Sequence, residues 1–480
     1  MRDESEIPLG LSFDDVLLAP RRSDVTSRSD VDTGTRLTRG LRLSVPVISA
    51  NMDTVTESRM AIAMARAGGL GIIHRFLSIE DQAAEVRRVK RAEAVVIDEP
   101  HTIDPTERAD AAAATMDELG VSGLVVTDDD GAVLGMLARR DLAFQSGREP
   151  VGALMTPRER LVWGAPATTQ ADAAEIFRRE RVEKLPLIDA DGRLAGLITA
   201  RDLTQRADHP DAVTDARGRL AVGAAIGVRG DVIDRARALT EAGADALVLD
   251  VAHGHADAAL SALDAARAAL GDETQLIAGN VATAEGARDL VRAGADAIKI
   301  GVGPGSVCTT RVVAGVGVPQ LSAVMAAASA AHEHDVPVIA DGGIRAGGDL
   351  AKAIAAGAES VMVGNLLAGT PESPGVVVTR NGVRVKVFRG MASAPAAAAR
   401  REAEEIEETD FEPVVPEGVE AVVPLRDEAA TVVRNLVGGL RSAMSYSNAH
   451  TIPQLHERAE FVRITPGGLR ESYPHDVEQR

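Results

Sequence analysis

The 480-residue chain holds one cysteine, Cys308, in the run Gly303-Pro304-Gly305-Ser306-Val307-Cys308-Thr309-Thr310-Arg311. With no second thiol, an internal disulfide and a cysteine-based metal cluster are both excluded. Cys308 is then either an inert buried thiol or a nucleophile. Buried cysteines ordinarily sit among Val, Leu and Ile on regular elements. This one sits in a glycine-rich stretch able to bring backbone amides close to an anion, which favours the nucleophile. A free thiol is only about 3% thiolate at pH 7, so those surroundings must favour the charged form. Other residues suited to chemistry end short apolar runs. They are Asp250 in Leu249-Asp250-Val251-Ala252-His253-Gly254-His255, Asn280, Asp341 in Ala340-Asp341-Gly342-Gly343-Ile344-Arg345, and Gly364-Asn365.

Eight Val/Ile-rich runs carry these residues: Val45–Asn51, Gly69–His74, Ala221–Val228, Ala246–Ala252, Leu276–Val281, Ala297–Val302, Val336–Asp341 and Ser360–Gly364. Each leads through a turn into an Ala/Glu/Arg-rich helical pattern. Continuous apolar runs suit parallel strands buried on both faces. Eight strand–helix repeats predict an α/β fold, a (β/α)8 TIM barrel, whose functional groups gather at the C-terminal ends of the strands. Asp250, Asn280, Asp341 and Gly364 fall at such ends, and Cys308 in the loop after the sixth. The glycines after strands seven and eight form a phosphate cup, to which Ser306 adds a hydroxyl, while Asp341 is placed to accept from sugar hydroxyls. A lone strand-terminal Asp is often just a helix N-cap. The joint placement argues for a site.

The repeat is interrupted between His74 and Ala221. There Thr127–Leu142 is echoed by Ile188–Leu203, with Gly131 to Gly192 and Asp141 to Asp202 at the same offset of 61 residues. Each copy reads as a hairpin with an Asp-Gly turn leading into a helix. The pair resembles a tandem CBS module, which implies adenine or guanine nucleotides as ligands, with Thr199 and Asp202 holding ribose hydroxyls. Ala138 stands where the first copy needs a threonine, and a purely structural insert is the alternative. The expected division is a catalytic barrel of 1–95 and 209–480, CBS repeats at 96–150 and 151–208, and a mobile flap at 388–420.

Composition narrows the class. The formal charge of −19 argues against nucleic acid or an anionic membrane as the main partner. Aromatics are 2% of the chain, so the core must be aliphatic. No stretch approaches the roughly 18 apolar residues of a membrane span. The acidic start, Met1-Arg2-Asp3-Glu4-Ser5-Glu6, lacks the apolar region of a signal peptide, and a cytoplasmic protein is expected.

GPGSVCTTRVVAGVGVPQ at 303–320, MDTVTE at 52–57, ADGGIR at 340–345, RGMAS at 389–393, VPEGVE at 415–420 and RESYPHDV at 470–477 together resemble the inosine-5′-monophosphate dehydrogenase and GMP reductase family. The likeness runs from about Leu9 to Val477. It implies that Cys308 attacks C2 of a purine 5′-monophosphate while a hydride passes between C2 and a nicotinamide, with Thr310 assisting proton transfer. It implies Asp250, Asn280 and Gly301 as nicotinamide-cofactor residues, and Asp341 on the nucleotide ribose. Ser306, Gly343, Gly364 and Asn365 hold the phosphate, and Met52, Gly390, Met391 and Glu417 the base. It also implies a monovalent cation, K+, on Gly303, Gly305 and Cys308, with Glu471, Ser472 and Tyr473 of a neighbouring subunit. A homotetramer, or an octamer of two, goes with that.

Two activities share this scaffold. Oxidation of IMP to XMP with NAD requires water to hydrolyse the Cys308 adduct, and the family's base is an Arg-Tyr pair on the flap. Here Ala394–Pro413 has Arg400 and Arg401 but no tyrosine, since the only two are Tyr446 and Tyr473. Reduction of GMP to IMP and ammonia with NADPH needs no hydrolysis, and Asn51 resembles that variant. Yet the position of the reductases' glutamate is Ala394, and the VPEGVE and RESYPHDV segments resemble the dehydrogenase. Thr310 with Glu417 offers a substitute base. The expectation is an NAD-dependent IMP dehydrogenase, with GMP reductase second and a non-catalytic nucleotide sensor third. Phe388 stands where the family has a phosphate-binding tyrosine.

Overall fold

Eight short parallel strands close into a barrel: β1 Val47–Ser49, β2 Leu70–Ile73, β3 Gly223–Ile226, β4 Ala246–Asp250, β5 Gln275–Val281, β6 Ala297–Ile300, β7 Val338–Asp341 and β8 Ser360–Val363. Each pairs with the next, and β8 returns to β1 through Val361–Val47, Met362–Ile48 and Val363–Ser49. All residues of β1, β2, β3, β6 and β8 are buried, as strands with one face on the barrel interior and the other under helices must be. The surrounding helices are α1 Ser58–Arg66, α2 Ile79–Arg91, α3 Val232–Glu241, α4 Asp257–Leu270, α5 Ala284–Arg292, α6 Gln320–His332, α7 Gly347–Ala355 and α8 Ala429–Tyr446. Their buried faces are mostly alanine, leucine and valine, so packing relies on close approach of small side chains.

This computed structural model describes residues 7–92, 96–97, 100–201, 203, 208–228, 230–398 and 415–474. The chain divides into two units, Met1–Ala92 with Asp211–Asp215 and Leu220–Arg480, and Glu93–Pro210 with Ala216–Arg219. The barrel unit also carries a three-stranded antiparallel sheet, β9 Val378–Arg380, β10 Val383–Arg389 and β11 Glu420–Pro424. Both ends of the segment expected to form the flap are therefore tied down: Arg389 pairs with Glu420, and Glu417 N–H donates to the Ala392 carbonyl at 3.1 Å. Its middle, with Arg400, Arg401 and the glutamate run, lies outside the described residues.

The second unit shows the duplication in three dimensions. Helix Ala109–Leu119 and hairpin Gly123–Thr127/Val133–Ala138 recur as Gln170–Glu180 and Lys184–Ile188/Leu194–Thr199, every boundary displaced by the same 61 residues. Asp128 and Asp189 cap the two turns identically, each accepting from backbone N–H groups two and four residues on. The hairpin tips pair reciprocally, Val133 N to Gly192 O at 3.0 Å and Leu194 N to Gly131 O at 3.3 Å. That is the pseudo-two-fold relation expected of a folded repeat. No helix among the described residues is long and apolar enough to cross a membrane.

Candidate active site

A cleft of about 2100 Å³ opens at the C-terminal end of the barrel. Drug-sized ligands occupy roughly 300–1,000 Å³, so this one can take a nucleotide together with a dinucleotide. Cys308 lies on its wall, partly exposed, with Sγ 3.2 Å from the Thr310 hydroxyl. Thr309 N donates to the Glu417 carbonyl at 2.9 Å, Val419 N to the Val307 carbonyl at 3.0 Å, and Cys308 bridges Gly418. The VPEGVE segment is thus laced to the cysteine loop, and Glu417 joins Cys308 and Thr310 among the lining residues. Gly390 belongs to the same lacing, because a Cβ there would come within 2.9 Å of the Val307 carbonyl.

The floor is a buried charge cluster centred on Lys299, whose side chain is 2% exposed. Strand alternation turns Ala297 and Lys299 one way and Ile298 and Ile300 the other. The Lys299 ammonium meets Asp250 Oδ1 and Asp341 Oδ2, each at 2.6 Å, and donates to the Asn280 side-chain carbonyl. Asn51 Nδ2 donates to Asp250 at 2.9 Å, and Asn280 Nδ2 donates to Asp341 at 2.9 Å. Burial works against the lysine's charge, but the two carboxylates outweigh it and hold its pKa above the ordinary value. Burial likewise opposes ionisation of Asp250, but Lys299 and Asn51 hold it below the usual carboxylate range. Gly279 makes room for this lysine, since a Cβ there would lie 2.7 Å from the Lys299 Cβ.

Gly343, two residues beyond Asp341 in the cleft lining, has φ +82, and a Cβ on it would meet the Phe13 ring at 3.2 Å. The N-terminal turn Phe13–Asp15 thus packs against the glycine loop expected to cradle a phosphate. It is fixed there by Lys352 Nζ donating to the Phe13 carbonyl at 2.9 Å and by Arg345 Nη1 donating to Asp14 at 3.0 Å. Ser306, Gly364, Asn365, Met52 and Met391 line the same cavity, as do Gly301, Gly303 and Gly305.

A family model for the IMP dehydrogenase / GMP reductase domain matches residues 10–475. The chain belongs to the IMP dehydrogenase / GMP reductase family. It is 49% identical over 475 residues to inosine-5′-monophosphate dehydrogenase from Nitrosopumilus maritimus, covering 98% of this chain and 99% of the relative. It is 48% identical over 485 residues to GMP reductase from Leishmania major, covering 98% of each. Among solved structures it is similar to a GMP reductase variant from Trypanosoma brucei in complex with guanosine 5′-monophosphate, with TM-score 0.94 and 45% identity over the full length of both chains. Enzymes of this family are oxidoreductases that use a nicotinamide cofactor, and that much holds here.

Against that background, the residues singled out from sequence for base, phosphate, ribose and nicotinamide all fall in one cavity. Three do not. Glu471 ends the short helix Pro466–Glu471, the Ser472 hydroxyl donates to the Gly468 carbonyl at 2.9 Å, and neither these two nor Tyr473 lines the cleft of its own chain. In the insert, Thr199 ends its strand, half-buried, while Asp202 lies outside the described residues. Sequence reasoning passed over Lys299 and Phe13. The signal for the lysine was there, one of only five, inside the otherwise apolar run Ala297-Ile298-Lys299-Ile300.

Proposed function

We propose that the chain oxidises IMP to XMP with NAD+, through a bond between Cys308 Sγ and purine C2. The observation that carries this reading is the Cys308–Thr310 contact of 3.2 Å in a cleft wall that also holds Glu417. The sulfur adds to C2, and C2 gives up its hydride to the nicotinamide, whose chemistry is to accept it. Water then adds at C2, the C–S bond breaks, and XMP leaves as the thiol is restored. Thr310 and Glu417 take the water's proton in place of the missing flap tyrosine. Losing an optimised base costs typically 10²–10⁴ in rate, so a slow hydrolytic step is expected. Asp341 holds the nucleotide ribose, with Gly343, Gly364, Asn365 and Ser306 on the phosphate. Asp250, Asn280 and Gly301 hold the nicotinamide nucleoside.

The absent tyrosine specifically favours a second reading, reduction of GMP with NADPH, and the Leishmania and Trypanosoma relatives agree with it. One assay separates the two. Absorbance at 340 nm should rise with IMP and NAD+ and stay flat with GMP and NADPH. A fall with GMP, accompanied by ammonia, overturns oxidation in favour of reduction. No change in either mixture leaves a nucleotide sensor.

For the insert, the 61-residue repeat supports a tandem CBS module that binds adenine or guanine nucleotides. ATP or GTP at millimolar concentration should change turnover or assembly, and indifference in both makes the insert structural. For the cysteine loop we propose a K+ ion on the carbonyls of Gly303, Gly305 and Cys308. The Gly305 carbonyl accepts from Cys308 N–H at 3.1 Å and keeps a second lone pair. Glu471, Ser472 and Tyr473 complete the cation site of a neighbour in a homotetramer.

A further inference from the structure

Two of the residues proposed for the base are methionines in the cleft lining, Met52 on the loop after β1 and Met391 beyond the end of β10. Unbranched thioether side chains adapt to whatever lies beside them, so they cannot define the width of a slot by their own stiffness. Something rigid must hold the two backbones apart at a fixed distance. The loop carrying Met52 is a closed turn. The Met52 carbonyl accepts from Val55 and Thr56 N–H, and the Thr56 hydroxyl donates to the Ala50 carbonyl at 2.7 Å. The segment carrying Met391 is laced to the cysteine loop, as described above. The two segments are tied together by Arg389, one residue before Gly390 and two before Met391. Its Nε donates to Asp53 Oδ2 at 2.7 Å, Nη2 donates to the same oxygen, and its backbone N–H donates to the Thr54 hydroxyl at 3.3 Å. Asp53 directly follows Met52. Its side chain is 7% exposed, and its second oxygen is buried without a hydrogen-bond partner. Neither Asp53 nor Arg389 lines the cleft.

We propose that the Asp53–Arg389 ion pair is the positioning device that sets the separation of Met52 from Met391, and so governs recognition of the purine base without touching it. The inference rests on the assignment of this slot to a purine nucleotide. The pair acts across the base only; the phosphate cup and Asp341 are held by other contacts, through Phe13, Lys352 and Lys299. A ligand with ribose and phosphate but no base should therefore not sense it.

The test compares dissociation constants of IMP and of ribose 5-phosphate on the full-length protein, for the wild type, Asp53→Asn and Arg389→Lys. Misplacement by about 1 Å can cost on the order of 10²-fold. Asp53→Asn should weaken IMP by about 10- to 100-fold and raise KM in proportion, leaving ribose 5-phosphate within about 2-fold. Arg389→Lys keeps the charge but loses the fork and should fall between. Equal weakening of both ligands in either variant, or no weakening of IMP, overturns the proposal. If the wild type binds ribose 5-phosphate but no purine nucleotide, it is the functional assignment that fails.

Discussion

Cys308→Ala should abolish turnover, by at least ~10³-fold, while the protein still folds and still binds nucleotide. In the proposed reaction the thiol is the group that bonds to C2, and the chain has no second thiol to take over. The structural cost is small. Cys308 is partly exposed in a loop, its sulfur meets the Thr310 hydroxyl, and that hydroxyl can turn to water. A substitution of this kind changes stability by about 0.5 kcal/mol or less. IMP affinity of the variant, measured by calorimetry, should stay within a few-fold, because the base, ribose and phosphate contacts are proposed for other residues. Mass spectrometry of wild-type protein quenched during turnover should show one nucleotide attached at Cys308. Retained turnover in the alanine variant, or a quenched enzyme that never carries the adduct, rules out the covalent route and the function derived from it.

Much of this was legible in the chain because barrel strands are short, local and chemically uniform. Runs such as Ser360-Val361-Met362-Val363 admit few readings, and the residue closing each run is where a parallel barrel places its chemistry. The 61-residue repeat was visible for a similar reason, since Asp-Gly turns are set by local backbone geometry. What was not legible is what chain topology brings together from afar. Nothing near Phe13 announces that its ring will lie against Gly343, some 330 residues on, where a backbone with positive φ leaves room. Nothing in MDTVTE says that its aspartate will meet the arginine of RGMAS. Each motif can be noticed alone, but their pairing is a property of the closed barrel, in which β8 returns to β1.

Lys299 is the strongest case of that kind, and its replacement should have the largest structural effect. Lys299→Met nearly preserves volume and removes the charge that Asp250 and Asp341 share. Removing one partner of a buried ion pair typically costs about 3–5 kcal/mol, because the remaining charge is left uncompensated. Here two carboxylates remain, facing one another, so one of them must take up a proton in the folded state. The sign of the pH dependence follows. In the wild type Asp250 has a depressed pKa, so its contribution is present above the unfolded carboxylate value of about 3.9 and fades only as the solution becomes more acidic than that. In the variant a carboxyl with a raised folded-state pKa stabilises the fold at low pH, and that contribution is lost as pH rises through the raised value. The gap between the denaturation midpoints of the two proteins should therefore be widest at pH 8 and narrow toward pH 5. Nucleotide and cofactor affinity should fall together, since Asp341 and Asp250 lose a common anchor. A variant with wild-type midpoints at pH 8 would show that the cluster does not depend on its lysine. A gap that widens on acidification would show that the carboxylates are not what the ammonium compensates.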